Sequence, residues 1–214
     1  MIFSENQISE LKDKISKLIS SARYNHTLGV EKAVTEISKL CAPNYTCELR
    51  VAALLHDISK EKSEAELRNN MDLLKLEIDI SEDDFMTPAV WHSIDAINNI
   101  RINFNDFATD NILSAIFNHT VGSPDMSLFD EILFVADYVE DNRKYKSCID
   151  VRSFLFSSLK NSSSEDCENV LHEATIMILN NTIEHVIRNN LYLHTATVKT
   201  RNAFISKKRT LLDT

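Results

Sequence analysis

Glycine and proline are scarce in this chain of 214 residues, which has two glycines, Gly29 and Gly122, and three prolines. Walker loops and dinucleotide-binding loops both need several glycines at close, fixed spacing. Two glycines so far apart cannot form either loop, so the sequence excludes nucleotide binding through a glycine-rich phosphate cradle. So few helix breakers also favour a mostly helical chain.

Long apolar runs and a net positive charge are also lacking. No apolar segment approaches the roughly 20 residues of a membrane-spanning helix, and the first residues have neither the basic nor the apolar region of a secretory signal. The net charge of −9 argues against a nucleic-acid polymer or an anionic membrane as the main partner. It does not exclude a small phosphorylated substrate, because bound metal ions can invert the local field.

The cysteines lack the spacing of a metal site or of a disulfide framework. There is no C-x-x-C pair and no regular interval among the four, which are Cys41, Cys47, Cys148 and Cys167. Structural zinc sites depend on closely spaced cysteine pairs, and disulfide bonds are rare in the cytoplasm. We therefore expect reduced thiols in a cytoplasmic protein.

The apolar residues that are present recur with the helical period, and no segment has a convincing strand pattern, so the sequence predicts an all-α fold in a single domain. A break is expected over residues 22–25, a polar stretch over 77–84 and a linker over 161–164. The predicted helices cover residues 4–20, 26–41, 47–60, 63–76, 88–100, 109–119, 127–139, 148–159, 169–189 and 195–211.

The most unusual segment is V-A-A-L-L-H-D-I-S-K at residues 51–60, in which five apolar residues run into His56 and Asp57. An unpaired buried charge is costly, so some group must compensate for it. A metal cation would do so, because imidazole and carboxylate groups both bind metals. For an isolated pair the alternative is a hydrogen-bonded core histidine beside a solvated aspartate.

Four more polar residues lie in apolar surroundings: two histidines on apolar helical faces, one near a helix end, and an aspartate inside an apolar run. Together the six form a mixed nitrogen and oxygen set, which suits iron, manganese, cobalt or zinc. They are too many for one catalytic metal with an open position, so we predict two metals that share a carboxylate, as in phosphate-ester and anhydride hydrolysis. The predicted ligands are His26, His56, Asp57, His92, His119 and Asp137. The remaining histidines are expected to be surface or packing residues: His172, His185 and His194.

Five segments resemble the HD-domain phosphohydrolases. They are R-x-x-H (23–26), L-L-H-D-I-S-K (54–60), W-H-S (91–93), N-H-T-V-G-S-P-D-M-S (118–127) and F-V-A-D-Y-V-E (134–140). The H-T-x-G-x-P-x-M-S loop and the A-D-Y-x-E segment are the specific markers of the YqeK branch, the bacterial symmetrical diadenosine-tetraphosphate hydrolases.

The resemblance covers about residues 20–150 and implies an HD-domain helical bundle, to which residues 151–214 add C-terminal helices. It implies a di-iron centre in which Asp57 bridges the two metals. One metal would be held by His26, His56, Asp57 and Asp137, and the second by His92 and His119. It also implies that a water bridging the metals cleaves diadenosine tetraphosphate (Ap4A) in the middle, giving two ADP.

Residues beside the predicted ligands are candidates for substrate contact. Asp57 and Lys60 are the predicted catalytic residues; Lys60, expected one helical turn past His56, would neutralise developing phosphoryl charge, unless it is a solvated lysine at a helix end. Hydroxyl and backbone donors to phosphate oxygens are predicted at three positions that turn and cap chemistry would also explain: Thr120, Gly122 and Ser127. Three arginines could pair with the negative charge of the substrate: Arg23, Arg143 and Arg201.

Several positions depart from the family pattern, and they are where we expect the substrate contacts of this chain to differ: Ser93, Ser123, Asp125 and Asp141. Two other functions stay open. The same centre could act on a nucleoside monophosphate, a cyclic nucleotide or a hyperphosphorylated guanosine nucleotide, or the protein could be a metal-containing nucleotide sensor without turnover. A small nucleotide is the expected partner in each case, and a homodimer is compatible with the sequence.

Overall fold

A computed structural model describes residues 3–74, 80–160 and 166–212. Within these ranges the regular structure is helical, with no β-strand, so the all-α prediction is confirmed. The α-helices are α1 (Glu5–Ile15), α2 (Ser21–Cys41), α3 (Thr46–Leu55), α4 (Glu64–Leu74), α5 (Glu82–Met86), α6 (Pro88–Asn103), α7 (Asp110–Asn118), α8 (Leu128–Val139), α9 (Lys146–Leu159), α10 (Cys167–Arg188) and α11 (Thr195–Leu212). No helix in the described part of the chain is long and apolar enough to cross a membrane.

The centre of the structure is a layer of helices around α3. The α2 helix packs against α3 and α8, and α7 packs against the same two helices. Residues of α3 such as Val51, Leu54 and Leu55 are almost completely buried, which matches their continuous apolar run. Burying such side chains contributes roughly 1.5–3 kcal/mol each. These helices therefore form a rigid frame, and the polar residues that interrupt their apolar faces are fixed by it.

The outer helices cover this frame from two sides. On one side α4 packs on α6 through a second apolar cluster that includes Met71, Trp91 and Ile94. On the other side α10 packs against α8, α9 and α11. The main core joins residues of α2 and α3 to Val151 of α9 and Leu171 of α10. The division into an HD core and added C-terminal helices stays a prediction.

The start of α2 differs from the prediction of a break over residues 22–25. The helix begins at Ser21 because the Ser20 side chain accepts a hydrogen bond from the backbone N–H of Arg23, which satisfies a free donor of the first turn. Ser21, Ala22 and Asn25 are exposed on this first turn, whereas Arg23 and Tyr24 are partly buried. As a result Arg23 and His26 lie about one turn apart on the same helix.

The end of α3 also differs from the prediction. The helix ends at Leu55, and residues 56–62 form turns, so Lys60 does not lie one helical turn past His56 on α3. The apolar pattern continues to Ile58, so the sequence does not reveal where the helix ends. The end coincides with a side-chain hydrogen bond of His56, described below. Three other predictions involve residues outside the described ranges, namely the linker at 161–164, the end of the helix predicted over 63–76 and the first part, 77–79, of the polar stretch. The polar stretch predicted over 77–84 contains the start of α5.

The prediction of four reduced thiols is wrong for Cys41 and Cys167, which form a disulfide bond in the structure. The bond joins the end of α2 to the start of α10, with the two Cα atoms 5.4 Å apart, inside the usual range for a disulfide. A pair separated by 126 positions leaves no local spacing signal, because only the packing of the two helices brings it together. Cys47 and Cys148 are free thiols, as predicted.

Candidate metal centre

The six predicted metal ligands lie side by side in the structure, although they come from five parts of the chain. Three lie within helices, and the other three directly follow a helix end. His26 lies on α2, His92 on α6 and Asp137 on α8; His56 and Asp57 follow α3, and His119 follows α7. Their donor atoms form two groups, each within 4.8 Å: His26 with His56 and Asp57, and Asp57 with His92 and His119.

Two of the histidines are fixed by the helices that they end. The Nδ1 of His56 lies 2.7 Å from the carbonyl oxygen of Ala53, and the Nδ1 of His119 lies 2.6 Å from that of Ile116. The last four carbonyl groups of a helix have no partner within the helix, so each ring satisfies one of them. A ring that donates from Nδ1 carries its lone pair on Nε2. Both rings are buried, and each presents Nε2 to the aspartates.

His26 lies inside α2 and is held by side chains from the region of α8. Its Nδ1 lies 3.2 Å from Oε1 of Glu140, and its Nε2 lies 3.0 Å from Oδ1 of Asp137. That Asp137 oxygen also lies 3.7 Å from the Nε2 of His56. His26, His56 and Asp137 thus bring two ring nitrogens and one carboxylate oxygen to a single point.

Asp57 is shared between the two groups. Its Oδ2 lies 3.6 Å from Nε2 of His26 and 3.4 Å from Nε2 of His56. Its Oδ1 lies 3.2 Å from Nε2 of His92 and 3.8 Å from Nε2 of His119. The two oxygens of one carboxylate therefore face two different sets of histidines, which is the arrangement that a bridging ligand requires.

The donor set fits a pair of transition-metal ions. The buried Nε2 atom of His56 has no hydrogen-bond partner, although it lies at the point where the carboxylates converge. Buried polar atoms are rarely left without a partner, so an unpaired acceptor in this position indicates a ligand. Imidazole nitrogen combined with carboxylate oxygen suits iron, manganese, cobalt or zinc better than magnesium or calcium.

The charges of the site keep the aspartates ionised. Burial would raise the pKa of Asp57, but the neighbouring imidazole rings of His56, His119 and His92 hold it well below its usual range. Burial would likewise raise the pKa of Asp137, but the Arg143 guanidinium and the hydrogen bond from His26 hold it well below that range. Both carboxylates are therefore in the form that binds cations.

The two outer histidines differ in how readily they bind a proton. Burial would lower the pKa of His26, but hydrogen bonds to Asp137 and Glu140 raise it to about 9. Burial, together with the proximity of His119 and Lys60, lowers the pKa of His92 to about 4. The His92 ring is therefore neutral at physiological pH, whereas a metal at His26 has to displace a proton.

The ligands line a cavity of about 430 Å³ that carries positive charge on its rim. Arg23 Nη1 lies 2.6 Å from Oδ2 of Asp57, and Arg143 Nη2 lies 2.7 and 2.9 Å from the two oxygens of Asp137. Lys60 Nζ lies 3.1 Å from Nδ1 of His92. Thr120 lines the same cavity, so four of the residues predicted to contact substrate lie next to the metal ligands.

The other residues predicted to contact substrate do not line this cavity. Gly122, with φ of +74°, packs against Thr200 of α11. Ser127 caps α8 and forms a capping box with Asp130. Arg201 donates from Nε to Oδ1 of Asn180, 2.6 Å away. These three residues therefore support the surrounding structure, and we do not include them in the proposed function.

The histidines not assigned to the site have other partners in the described structure. His172 lies between α10 and α8, with Nδ1 2.9 Å from Oε2 of Glu131. His194 is buried beside Asp84, with Nε2 3.1 Å from Oδ1 of that residue. His185 lies near the exposed end of α10. None of them lines the cavity that contains the predicted ligands.

Sequence reasoning missed two features of the site. The first is Glu140, whose contact with His26 joins the end of α8 to α2. The second is an apolar and hydroxyl-bearing wall of the cavity from α8 and α10, formed by Phe134, Tyr138, Ile178 and Thr182. Phe134 and Tyr138 lie in the F-V-A-D-Y-V-E segment, whereas no local signal distinguishes Ile178 and Thr182 from ordinary core positions.

Comparisons with known proteins point to one family. The HD domain family model matches residues 23–142, the segment that contains all six predicted ligands. Relatives named symmetrical bis(5'-nucleosyl)-tetraphosphatase occur in Halalkalibacterium halodurans (26% identity, 89% of this chain and 93% of the relative) and Bacillus subtilis (24%, 90% and 94%). A third, from Staphylococcus aureus, is 24% identical over 70% of this chain and 75% of its own.

The fold is also that of a solved structure. A crystal structure described as a "predicted HD superfamily hydrolase involved in NAD metabolism", from Clostridium acetobutylicum, superimposes with a TM-score of 0.76 at 25% identity. The match covers 96% of this chain and 98% of the other. The expected resemblance to the HD-domain hydrolases and their symmetrical tetraphosphatase branch is confirmed, and the chain belongs to the HD domain family.

Proposed function

We propose that this protein hydrolyses dinucleoside tetraphosphates, with Ap4A as the substrate, symmetrically to two nucleoside diphosphates at a dinuclear metal centre. The observation that carries the proposal is Asp57, whose two oxygens face two separate sets of histidines inside a cavity with a cationic rim. The names of the three curated relatives support the same substrate.

The proposed ligands divide as the two oxygens of Asp57 divide. His26, His56, Asp57 and Asp137 would hold one metal, and His92, His119 and Asp57 the other. Iron is the metal we propose, with manganese, cobalt and zinc as metals that the same nitrogen and oxygen set accommodates. Such metals, when bound, lower the pKa of a coordinated water towards neutrality and offset the negative charge of the attacked phosphate.

The chain itself supplies the groups that bind and orient the tetraphosphate. Arg23, Lys60 and Arg143 surround the cavity, and the buried Nε atoms of both arginines have no hydrogen-bond partner. Guanidinium groups bind phosphate oxygens through paired donors, so these N–H groups suit an anionic ligand. The positive charge is local, since the whole chain carries a net charge of −9.

Lys60 is proposed to act on the reacting phosphate. Burial lowers the pKa of its ammonium group, and the group lies beside His92 at the cavity. A donor fixed where negative charge develops stabilises the transition state more than the ground state. Arg23 and Arg143 pair with Asp57 and Asp137 and would hold the neighbouring phosphates.

The shape of the cavity is compatible with a nucleotide. Its volume of about 430 Å³ lies within the usual range of small-molecule sites. The wall formed by Phe134, Tyr138, Ile178 and Thr182 is partly apolar and suits contact with a nucleoside. We propose that the tetraphosphate lies along the cationic rim and that a nucleoside packs on this wall.

A nucleotide panel tests the proposal. Protein purified with its metals is incubated with Ap4A, nucleoside monophosphates, cyclic nucleotides and hyperphosphorylated guanosine nucleotides, and the products are separated and identified. We expect two ADP from Ap4A, and no comparable turnover of the other nucleotides. AMP plus ATP would contradict symmetrical cleavage. Faster turnover of another nucleotide would assign the centre to that substrate, and tight Ap4A binding without products would favour the sensor function.

A further inference from the structure

The geometry points to Glu140 as a positioning residue of the metal centre, and to Gly29 as the residue that makes room for it. Glu140 would fix the ring of His26 so that one nitrogen is free for a metal. The inference rests on the proposed function only in that His26 binds a metal, and it holds for any substrate.

Glu140 is held in one orientation at the end of α8. It is the C-cap of that helix and is only 2% exposed. Its Oε2 accepts a hydrogen bond from the backbone N–H of Asn142, at 2.7 Å, and its Oε1 lies 3.2 Å from Nδ1 of His26. One oxygen is thus anchored to the backbone, and the other receives the Nδ1–H of the histidine.

His26 needs such a partner because its position in the fold differs from that of His56 and His119. Those two rings donate Nδ1–H to free carbonyl groups at the ends of their own helices. His26 lies inside α2, where the carbonyl groups already accept hydrogen bonds from residues four positions later. An acceptor for its Nδ1 therefore has to come from another element, and Glu140 provides it.

The partner at Nδ1 decides which nitrogen faces the aspartates. A histidine that donates from Nδ1 leaves Nε2 with its lone pair, and carboxylates commonly hold metal-binding histidines in this form. The Nε2 of His26 is the atom that lies 3.0 Å from Asp137 and 3.6 Å from Asp57. Without Glu140 the ring would be free to rotate or to adopt the other tautomer.

Gly29 lies three residues after His26, on the same side of α2. A Cβ atom added there would overlap Oε2 of Glu140 and approach Nδ2 of Asn142 to 3.0 Å. No turn requires glycine at this position, since Gly29 lies inside a helix, where glycine is less stable than alanine. In a chain with two glycines, this one is explained by the space that the Glu140 carboxylate occupies.

The test compares the cobalt(II) affinity of metal-free variants by competition with a chelator, which requires no substrate. We expect Glu140→Ala to weaken binding at one of two sites by about 10–100-fold, the usual effect of removing such a partner. Gly29→Ala should weaken the same site while keeping or raising the unfolding midpoint, because the obstructed atom is the end of a side chain. The double variant should be no weaker than Glu140→Ala alone.

Glu131→Ala is the matched control. Glu131 is also on α8, is 1% exposed, and accepts from the Nδ1 of His172, but it does not line the cavity. We expect this variant to keep its cobalt affinity. Unchanged affinity in Glu140→Ala and Gly29→Ala would overturn the inference, as would an equal loss in Glu131→Ala. Wild-type protein that binds no cobalt would instead overturn the proposed metal centre and this inference with it.

Discussion

The Oδ1 atom of Asp57 lies 3.2 Å from the Nε2 atom of His92, although Asp57 also faces the histidines of the other group through Oδ2. We therefore expect Asp57→Ala to lose both metals, and His92→Ala to lose one and keep the other. Elemental analysis of purified protein gives the number of metals per chain, and circular dichroism checks that the helical fold is retained. A folded Asp57→Ala protein that still bound two metals per chain would show that Asp57 is not a ligand of the centre.

Replacing Lys60 by alanine should lower kcat by about 10²–10³-fold, the usual effect of losing a donor aimed at developing charge. Metal content should not change, because an ammonium group is not a ligand. Lys62→Ala is a suitable control: Lys62 Nζ lies 2.6 Å from Oδ2 of the buried Asp95 and does not line the cavity. It should alter stability but leave kcat near the wild-type value. A kcat of the Lys60 variant equal to that of the wild-type protein would show that this lysine does not take part in catalysis.

The stability of the metal-free protein should depend on His26. Hydrogen bonds to Asp137 and Glu140 raise the pKa of His26 from 6.5 to about 9, so the folded state binds its proton more tightly than the unfolded chain. The stabilisation is fully present below pH 6.5 and is lost as the pH rises through 9; it amounts to about 3 kcal/mol. Urea unfolding of metal-free wild-type and His26→Ala proteins at pH 6 and pH 9.5 measures it. Identical pH dependence in the two proteins would contradict this assignment.

Gly122→Ala should destabilise the fold, unlike the corresponding change at Gly29. Gly122 has φ of +74°, a conformation that costs side-chain-bearing residues about 1–3 kcal/mol, and the new Cβ would lie 3.0 Å from Cγ2 of Thr200. Unfolding midpoints give the comparison directly. Adding Thr200→Ala should relieve the contact but not the backbone strain, so the unfolding midpoint should recover only in part. Full recovery would show that crowding against α11 is the whole effect.

Much of the site could be predicted because buried polar residues are costly. A histidine or aspartate inside an apolar pattern needs a partner, and the chain has six of them among residues such as Leu54, Phe134 and Ala136. That argument identifies the ligand residues without knowledge of the distances between them. The all-α fold could be predicted as well, since the apolar residues around them recur with the helical period.

The rest depends on contacts that leave no local pattern. The end of α3 was missed because it is set by the ring of His56 on the Ala53 carbonyl, while the apolar pattern runs on. Glu140 was missed as a partner of His26 because 114 positions separate them. The disulfide bond between Cys41 and Cys167 was missed for the same reason, since 126 positions separate the two residues. In each case the deciding contact joins elements that only the packed bundle brings together.

The rings of His56 and His119 each take up a carbonyl group that their own helix leaves free at its last turn. The residue at which α3 or α7 ends therefore also determines the direction in which the Nε2 of the following histidine points. Lengthening either helix by a single alanine would turn the following imidazole by about 100° around the helix axis and advance it by about 1.5 Å. Homologous chains should for that reason tolerate insertions in the loops before α3 and α7 far better than within the last turns of these two helices.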